Sequence, residues 1–234
     1  MSNFNTWVVT STINATNTAV DSNHRFEQTV DTLKSIKSKD PSAAVLVLDN
    51  SIDYPDRDKI GYIKSLCDIY YQHKHDIFSS LCNLTGYNKS IGEVLLMAAA
   101  GALLSENRRL VGRRFFKISG RYKLSDQFNV DLYLDKRFDD KFAFKTAVWW
   151  FKNTSNPEDV VHKSWLETQL WSCSTSLLEY YFNSILPQSL LNMLEHKDNI
   201  ELSYIKLIPV DKIVLLPELN LTGIRGNDGQ LVTL

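Results

Sequence analysis

The sequence predicts an α/β fold in which a central, mostly parallel mixed sheet lies between layers of helices, as an α/β/α sandwich. A strand, a helix and a second strand follow one another between Thr6 and Ser51, which is the order of a βαβ unit. The second strand, Ala43–Leu48, is an unbroken apolar run, as in parallel strands that are buried on both faces. An apolar helix and a further strand follow later in the chain, so the alternation continues.

The N-terminal elements are predicted from the spacing of apolar residues. Thr6–Ile13 is rich in β-branched residues and is predicted as the first strand. Apolar residues three or four positions apart predict a helix over about His24–Lys37. The second strand then ends in Asp49-Asn50-Ser51, and the apolar residues from Ile60 to Leu81 predict one long helix or two short ones.

A helix and a strand are predicted at the centre of the chain. Ser90-Ile91-Gly92-Glu93 has the form of a capping box, with a serine N-cap and a glutamate three residues later. The helix Val94–Leu104 follows, and its small residues allow close packing on a sheet. Arg113–Ile118 is then predicted as a strand, and Gly120 ends it.

The C-terminal part is predicted to contain fewer regular elements. Phe142–Phe151 is aromatic and strand-like, and Ser164–Ile185 has the spacing of a long amphipathic helix that Pro187 ends or kinks. Ile200–Pro209 is predicted as a late strand, and Leu219–Leu234 as a flexible, polar tail.

Four chemically different groups follow the central strand at Ser119, Gly120, Arg121 and Tyr122. They would place a hydroxyl, a bare backbone, a guanidinium and a phenol at one edge of the sheet. Ligands of open α/β sheets bind at the carboxyl ends of strands, and the planar arginine fork suits phosphate. The residues alone leave two interpretations open, an anion site or a charged surface turn.

Composition excludes several classes of function. A net charge of −1 gives no basic footprint for nucleic acid. The three cysteines are scattered, with no Cys-x-x-Cys, which indicates a reducing compartment rather than a disulfide framework or a zinc site. The start of the chain has no signal-peptide pattern, and no apolar run approaches the roughly 20 residues of a membrane helix. We therefore expect a cytoplasmic protein without a transmembrane segment.

Several of these features occur together in one known family. They are the Thr/Ser/Asn end of the first strand, Leu48-Asp49-Asn50-Ser51, Asn88-Lys89-Ser90-Ile91-Gly92-Glu93 at the start of a helix, and Phe116-Lys117-Ile118-Ser119-Gly120-Arg121-Tyr122. Together they resemble small nucleotide-sugar glycosyltransferases of the GT-A fold, including those of microbial surface-polysaccharide clusters and large DNA viruses. The resemblance covers residues 6–230 and is most specific over Lys117–Leu124.

The resemblance implies a GT-A-like, Rossmann-like α/β/α domain over residues 1–234, with a nucleotide-binding half over about 1–125 and an acceptor half over about 126–234. It implies transfer of a sugar from a nucleotide-sugar donor to a glycan or other saccharide hydroxyl, as in polysaccharide biosynthesis. The implied contacts to the nucleotide sugar are Thr10, Ser11, Asn14, Asp49, Asn88, Lys89, Ser119, Gly120, Arg121, Tyr122 and Arg225.

The sequence departs from the family where a metal would bind. In such enzymes the fourth strand usually ends in Asp-x-Asp, and this chain has Ser119-Gly120-Arg121 there. No metal ligand is therefore assigned, and dependence on manganese or magnesium stays open. Because cations can also stabilise a leaving diphosphate, Arg121 is a catalytic candidate, and Lys123 could assist it. The one Asp-x-Asp, Asp56-Arg57-Asp58, comes early and is interpreted as a solvated turn.

Glu167 is the candidate for the group that accepts the acceptor's proton, because the family carries an acidic residue in this region. The competing interpretation is an ordinary acid in the first turn of a helix, where the helix dipole favours it. The competing function is a non-catalytic nucleotide-binding or interaction domain that kept the GT-A fold. A Rossmann dehydrogenase is disfavoured because no Gly-x-Gly-x-x-Gly follows the first strand.

Overall fold

The structure is a computed structural model that describes residues 3–14, 21–51, 53, 56–73, 89–152, 160–224 and 230–234. For residues 89, 147–152 and 160–165 it describes the backbone alone.

The N-terminal half alternates strands and helices. Its elements are β1 (Thr6–Ser11), α1 (Ser22–Lys39), β2 (Ala44–Asp49), α2 (Arg57–Leu66), β3 (Ile69–Gln72), α3 (Lys89–Glu106), β4 (Arg114–Ser119) and β5 (Tyr122–Leu124). The strands β3, β2, β1 and β4 lie side by side in that order, and every pairing among them is parallel. This confirms the predicted βαβ unit.

The C-terminal half extends the same sheet with antiparallel strands. Its elements are β6 (Phe142–Lys152), β7 (Val160–Leu166), β8 (Leu170–Ser174), α4 (Leu178–Tyr180), a π-helical turn (Tyr181–Ile185), α5 (Leu186–His196), α6 (Ile200–Leu207), β9 (Ile213–Leu216), β10 (Leu221–Ile224) and β11 (Leu231–Thr233). The main sheet has the order β3-β2-β1-β4-β8-β6-β7, and β9 pairs in parallel with β6. A second, antiparallel sheet has the order β11-β10-β5.

Short 3₁₀ turns connect these elements at Arg108–Leu110, Val130–Leu134, Lys136–Phe138, Thr175–Leu177 and Val210–Lys212. No helix in the described ranges combines the length and the apolar character needed to cross a bilayer.

The two faces of the main sheet are buried in separate apolar clusters, which confirms the α/β/α sandwich. Phe115 of β4 belongs to the cluster under α3, α5 and α6, and Phe116 to the cluster under α1. Trp7 stacks on Phe116 with ring centroids 4.3 Å apart. Because successive strand residues point to opposite faces and both faces are covered, all of β4 is buried, including two cations, Arg114 and Lys117.

Hydrogen bonds from α1 attach β5 to the helix. Thr32 Oγ1 donates to the Tyr122 carbonyl at 2.8 Å, and the Leu124 amide donates to Ser35 Oγ at 3.0 Å. The turn between β4 and β5, which carries the predicted arginine, is thereby held over α1.

The hairpin of β6 and β7 continues past the carboxyl edge of β4. Phe142 and Ala143 pair with β8, whereas Thr146–Lys152 pairs with β7. Continued in register, Lys145 lies level with Ile118 near the end of β4, so the later part of the hairpin extends beyond that edge.

Two predicted helices are only partly present, because sheet strands with apolar residues on both faces mimic helical spacing; helix α2 confirms the first part of the predicted Ile60–Leu81 helix. Ile69–Gln72 is a strand, and residues 74–81 of the predicted Ile60–Leu81 helix lie outside the described residues. The predicted Ser164–Ile185 helix contains the end of β7, all of β8 and the later start of α4. Leu166 and Leu170 are four residues apart, but each is buried in a sheet strand on an opposite face.

Three further element predictions are also wrong. The predicted late strand is the helix Ile200–Leu207, which begins where Asn199 Oδ1 accepts a hydrogen bond from the Leu202 amide at 2.8 Å. The tail Leu219–Leu234 contains β10 and β11 rather than only flexible residues. Helix α3 begins at Lys89, so Ser90 lies inside it and is not its N-cap.

Candidate functional site

The strand order reverses between β1 and β4, and this creates a crevice at their carboxyl ends. From β1 the chain moves outward to β2 and β3 and then returns to β4 on the other side. Thr10 pairs with Ser119, and the Gly120 amide donates to the Thr10 carbonyl at 2.8 Å. Ligands of open α/β sheets bind at such a switch point. The predicted residues Thr10, Ser11, Ser119, Gly120 and Arg121 therefore do come together.

Gly120 allows the β4–β5 turn to approach α1 closely. A Cβ built on Gly120 would lie 3.2 Å from Ser11 Oγ and 3.2 Å from Thr29 Oγ1. These two hydroxyls are hydrogen bonded to each other at 2.7 Å. The glycine thus serves the packing of the turn on the helix, and this packing brings Arg121 to the N-terminal end of α1.

Two arginines meet at this end of the crevice. Arg25 lies in the first turn of α1 and is only 9% exposed, and Arg121 is partly exposed. Burial and then the positive charge of Arg121 lower the pKa of the Arg25 guanidinium to about 10. Arg121 lies 5.8 Å over the ring of Tyr122, and it takes part in none of the ion pairs among the described residues. Two repelling cations beside a helix N-terminus form a site suited to an anion.

The opposite face of the crevice contains a buried ammonium group. Lys117 of β4 is fully buried, and its Nζ lies 2.5 Å from Glu93 Oε1 of α3. The same nitrogen donates to the Thr168 carbonyl at 2.7 Å and to Ser119 Oγ at 3.1 Å. The ammonium is held by two hydrogen bonds and one ion pair, so Lys117 acts as a fixed charge rather than as a free ligand.

A second carboxyl group lies next to this lysine. Thr168 Oγ1 donates to Glu201 Oε1 of α6 at 3.2 Å. Burial, and then the nearby charge of Glu93, raise the pKa of Glu201 above its usual range, although hydrogen bonds from its own backbone amide and from Thr168 and the charge of Lys117 act against this. The Glu201 residue is nevertheless partly exposed.

Asp49 organises the loops after β1 and β2. Its Oδ1 accepts hydrogen bonds from the Ile13 amide at 3.1 Å, the Ser51 amide at 3.1 Å and Ser51 Oγ at 2.7 Å, and its Oδ2 accepts one from Tyr70 at 2.9 Å. Burial raises its pKa. Asn14 follows in the same loop, where its amide donates to Ser51 Oγ at 2.8 Å. In this arrangement Asp49 shapes the loop and presents Asn14 at the crevice.

Replacing Asp49 with alanine is expected to destabilise the protein, because two buried amides lose their acceptor. Each unsatisfied buried donor costs about 1–3 kcal/mol, so we expect Asp49→Ala to lower the free energy of unfolding by about 2–3 kcal/mol. Tyr70→Phe removes one hydrogen bond and should cost about 1 kcal/mol. Urea unfolding measures both changes, and equal losses in the two variants would contradict this role of Asp49.

The remaining predicted site residues are placed as follows. Glu167 lies in the turn between β7 and β8, where its amide donates to the Lys145 carbonyl at 2.8 Å, and not in the first turn of a helix. Tyr122 is 3% exposed, so its ring belongs mainly to the core. Asn88 and Arg225 lie outside the described residues, and Lys89 is described by its backbone alone. Their roles stay predictions.

The end of β4 does not fit a divalent cation. Ser119 Oγ already accepts a hydrogen bond from the Lys117 ammonium, and Arg121 adds a second cation nearby. Asp56 of the early Asp-x-Asp is the N-cap of α2, with its side chain accepting from the Asp58 amide at 2.7 Å. Within the described ranges, no group of three or more His, Cys, Asp or Glu residues is placed to hold a metal ion.

Sequence reasoning missed Arg25, Glu201 and the pairing of Lys117 with Glu93. A usable signal existed for Lys117, because a lysine inside the apolar run Arg114–Ser119 must be buried with a partner. Glu93 was assigned to a capping box, and Glu201 to a strand. Arg25 gave no signal, since its approach to Arg121 depends on how α1 packs over β5.

Comparison with known proteins gives structural matches only. No protein-family model matches the chain, and no curated protein matches it. A solved 4-diphosphocytidyl-2C-methyl-D-erythritol synthase from Anaerococcus prevotii matches with a TM-score of 0.50 and 9% identity, over 91% of this chain and 86% of its own. A second solved structure of a synthase of that name matches with a TM-score of 0.52 and 6% identity, over 94% and 92%.

A glycosyltransferase involved in glycosylating the major capsid of PBCV-1 also matches, with a TM-score of 0.43 and 7% identity, over 91% of this chain and 81% of its own. That score is too low to support an inference. At these identities the two synthases establish the fold alone. The chain therefore has a GT-A-like, Rossmann-related α/β fold, of the kind found in these synthases.

Proposed function

We propose that this protein is an enzyme, a glycosyltransferase that moves a sugar from a nucleotide-sugar donor to a hydroxyl group of a glycan or other saccharide. The observation that carries the proposal is the pair Arg25 and Arg121 at the switch point of the sheet. One of these guanidiniums is buried and the charge of the other repels it, and perturbed charge clusters of this kind are typical of functional sites.

The chemistry of the reaction fits a site of this charge. When the bond between the anomeric carbon and the donor's diphosphate breaks, its electron pair stays on the diphosphate oxygen. Preorganised cations at the place where this charge develops lower the barrier. Arg121 can donate two parallel hydrogen bonds to one phosphate. The residues that the resemblance places beside it, Lys89 and Arg225, would add further positive charge.

The nucleoside would lie over the ends of β1 and β2. Thr10, Asn14 and the loop that Asp49 holds line this part of the crevice. The nucleotide-binding half over about residues 1–125 then contains the arginine pair, and the acceptor half over about 126–234 contains Glu167 and Glu201.

A second candidate is nucleotidyl transfer, which the likeness to the two diphosphocytidyl synthases favours. That reaction breaks a bond inside a nucleoside triphosphate and releases pyrophosphate. The arginine pair could stabilise this leaving group as well, so the anion site alone does not separate the two reactions.

Thermal unfolding with a nucleotide panel tests the proposal. The panel comprises UDP, GDP, TDP, CMP and CTP, each with and without manganese. A ligand at 100 times its Kd adds about 2.7 kcal/mol of stability, which corresponds to about 5–10 °C for a chain of this size. We expect such a shift with one nucleoside diphosphate and without manganese.

The other outcomes of the nucleotide panel favour or contradict particular functions. A shift confined to CTP would favour nucleotidyl transfer, and a shift that needs manganese would overturn the metal-independent site. No shift with any member of the panel would contradict the proposed function. A shift without turnover of any nucleotide sugar would favour the non-catalytic alternative.

A further inference from the structure

A chain of polar contacts crosses the acceptor side of the crevice. It runs from Glu93 of α3 to Lys117 of β4, from Lys117 to the carbonyl of Thr168, and from the Thr168 hydroxyl to Glu201 of α6. Four elements distant in sequence thus meet on the α3 side of the sheet, whereas the arginine pair lies on the α1 side. Ser119 connects the two sides, because it is the last residue of β4 and its hydroxyl accepts a hydrogen bond from the Lys117 ammonium.

The two carboxyl groups of this chain have different environments. Glu93 lies 2.5 Å from the fully buried ammonium of Lys117, with which it forms an ion pair. The Glu201 carboxyl instead accepts a hydrogen bond from the neutral hydroxyl of Thr168. Two carboxyl groups in one chain of contacts whose environments differ in this way can divide acid–base work between them.

From this geometry we infer that Glu201 is the residue that takes the proton of the acceptor hydroxyl, with Lys117 and Thr168 as positioning residues. The inference rests on the proposed glycosyl transfer and makes it more specific. It assigns to Glu201 the role that the sequence suggests for Glu167, the residue before Thr168.

The step is balanced without any further reactant. The acceptor O–H bond breaks and its proton goes to a carboxylate oxygen of Glu201. The acceptor oxygen forms the new bond to the anomeric carbon, while the bond to the diphosphate breaks and the electron pair leaves with the diphosphate. The arginine pair receives this charge on the opposite side of the crevice.

The ionised form of Glu201 is the base, so its protonation sets the acidic limb of the pH profile. Among the described residues, two charges shift the pKa of Glu201, that of Glu93 on α3 and that of Lys117 on β4. The charge of Glu201 in turn raises the pKa of Tyr204, which lies on the same helix, α6. Because the pKa of Glu201 is raised, activity should fall at a higher pH than an ordinary glutamate would give. Thr168 lowers that pKa by hydrogen bonding to the ionised form, so its removal should move the limb further upward.

The test uses donor hydrolysis, with water as the acceptor, and measures UDP release from UDP-glucose, UDP-galactose and UDP-N-acetylglucosamine and GDP release from GDP-mannose. Glu201→Gln should lower kcat at least 100-fold, leave KM for the donor within threefold, and abolish the acidic limb. Glu201→Asp should retain part of the activity. Glu195→Gln, at a well-exposed carboxyl on α5, is the matched control and should change nothing.

Thr168→Val keeps the carbonyl that binds Lys117 and removes only the hydroxyl donor. We expect its acidic limb to move to higher pH, with kcat retained on the alkaline side. Glu167→Gln, measured in parallel, should keep the limb. Melting temperatures of all variants show whether each one folds. If Glu201→Gln does not fold, the shift of the acidic limb in Thr168→Val still tests the inference.

Several results would overturn the inference. One is a Glu201→Gln protein with kcat within threefold of the wild type and an unchanged limb, while nucleotide stabilisation persists. Another is loss of the limb in Glu167→Gln. A wild-type protein that is stabilised by a nucleotide but hydrolyses no donor would also overturn it. A wild-type protein that no nucleotide stabilises would instead remove the proposed function, and the inference with it.

Discussion

Arg121→Ala is expected to lower turnover of the donor at least about 100-fold, the size of effect seen when one charge-stabilising group is removed. The stability of the protein should not fall with it. Arg121 loses only a cation–π contact with Tyr122, worth about 0.5–1 kcal/mol at an exposed site. Its removal also relieves the repulsion that it exerts on Arg25. The melting temperature should therefore stay within a few degrees of the wild-type value.

Two further substitutions make this expectation specific. Arg121→Lys keeps the charge but loses the planar fork, and should recover only part of the activity. Lys123→Ala tests the assistance that the sequence suggests for Lys123. Because Lys123 is exposed on β5, we expect removal of its charge to leave turnover nearly unchanged. Equal losses in Arg121→Ala and Lys123→Ala would show a general charge effect, and normal turnover in Arg121→Ala would remove the anion site.

Lys117→Met is expected to give the largest loss of stability. Breaking a buried ion pair by removing one partner costs about 3–5 kcal/mol, because the other charge is left without compensation. Here the loss leaves the Glu93 carboxylate, which is 22% exposed, and the Thr168 carbonyl without their common donor. We expect a decrease of about 3 kcal/mol in the free energy of unfolding, measured with urea.

A double substitution separates the charge from the packing. Lys117→Met together with Glu93→Gln removes both charges, and should recover about half of the lost stability, since no carboxylate is then left unpaired. Lys37→Met breaks a partly exposed pair with Asp68 at 4.0 Å and a hydrogen bond to the Ala43 carbonyl, and should cost about 1 kcal/mol. A cost for Lys117→Met that is no larger than for Lys37→Met would contradict the importance of burial.

The elements that could be predicted are those whose burial has one regular period. Helix α1 was found because Phe26, Val30, Leu33 and Ile36 follow one face, and β2 because all its residues are buried. Strand β8 was missed because it is buried on both faces, so that Leu170 and Trp171 show no alternation. Helix α6 was missed because it is short and rich in residues that also favour strands.

The site residues also fall into a group that could be predicted from the sequence and a group that could not. Ser119, Gly120 and Arg121 could be predicted, since a strand end followed by a glycine and a cation is a local pattern. The partners of these residues could not. Arg25 reaches the turn through helix packing, and Glu201 meets Thr168 only after the chain has folded back from β8 to α6. Contacts of this kind depend on tertiary structure, which local propensity does not encode.

The pairing of β5 with β10 has a consequence for the order of folding. A Cβ on Gly223 would lie 2.3 Å from the Arg121 carbonyl, so β10 is built directly against the cationic turn. The parallel strands β1 and β2 can pair early through one nearby crossover, but this turn is completed only when residues far along the chain have docked. Contacts between such distant segments slow folding, because a long loop must close first. We therefore expect the turn that carries Arg121 to be completed late, after the loops at the ends of β1 and β2 have formed.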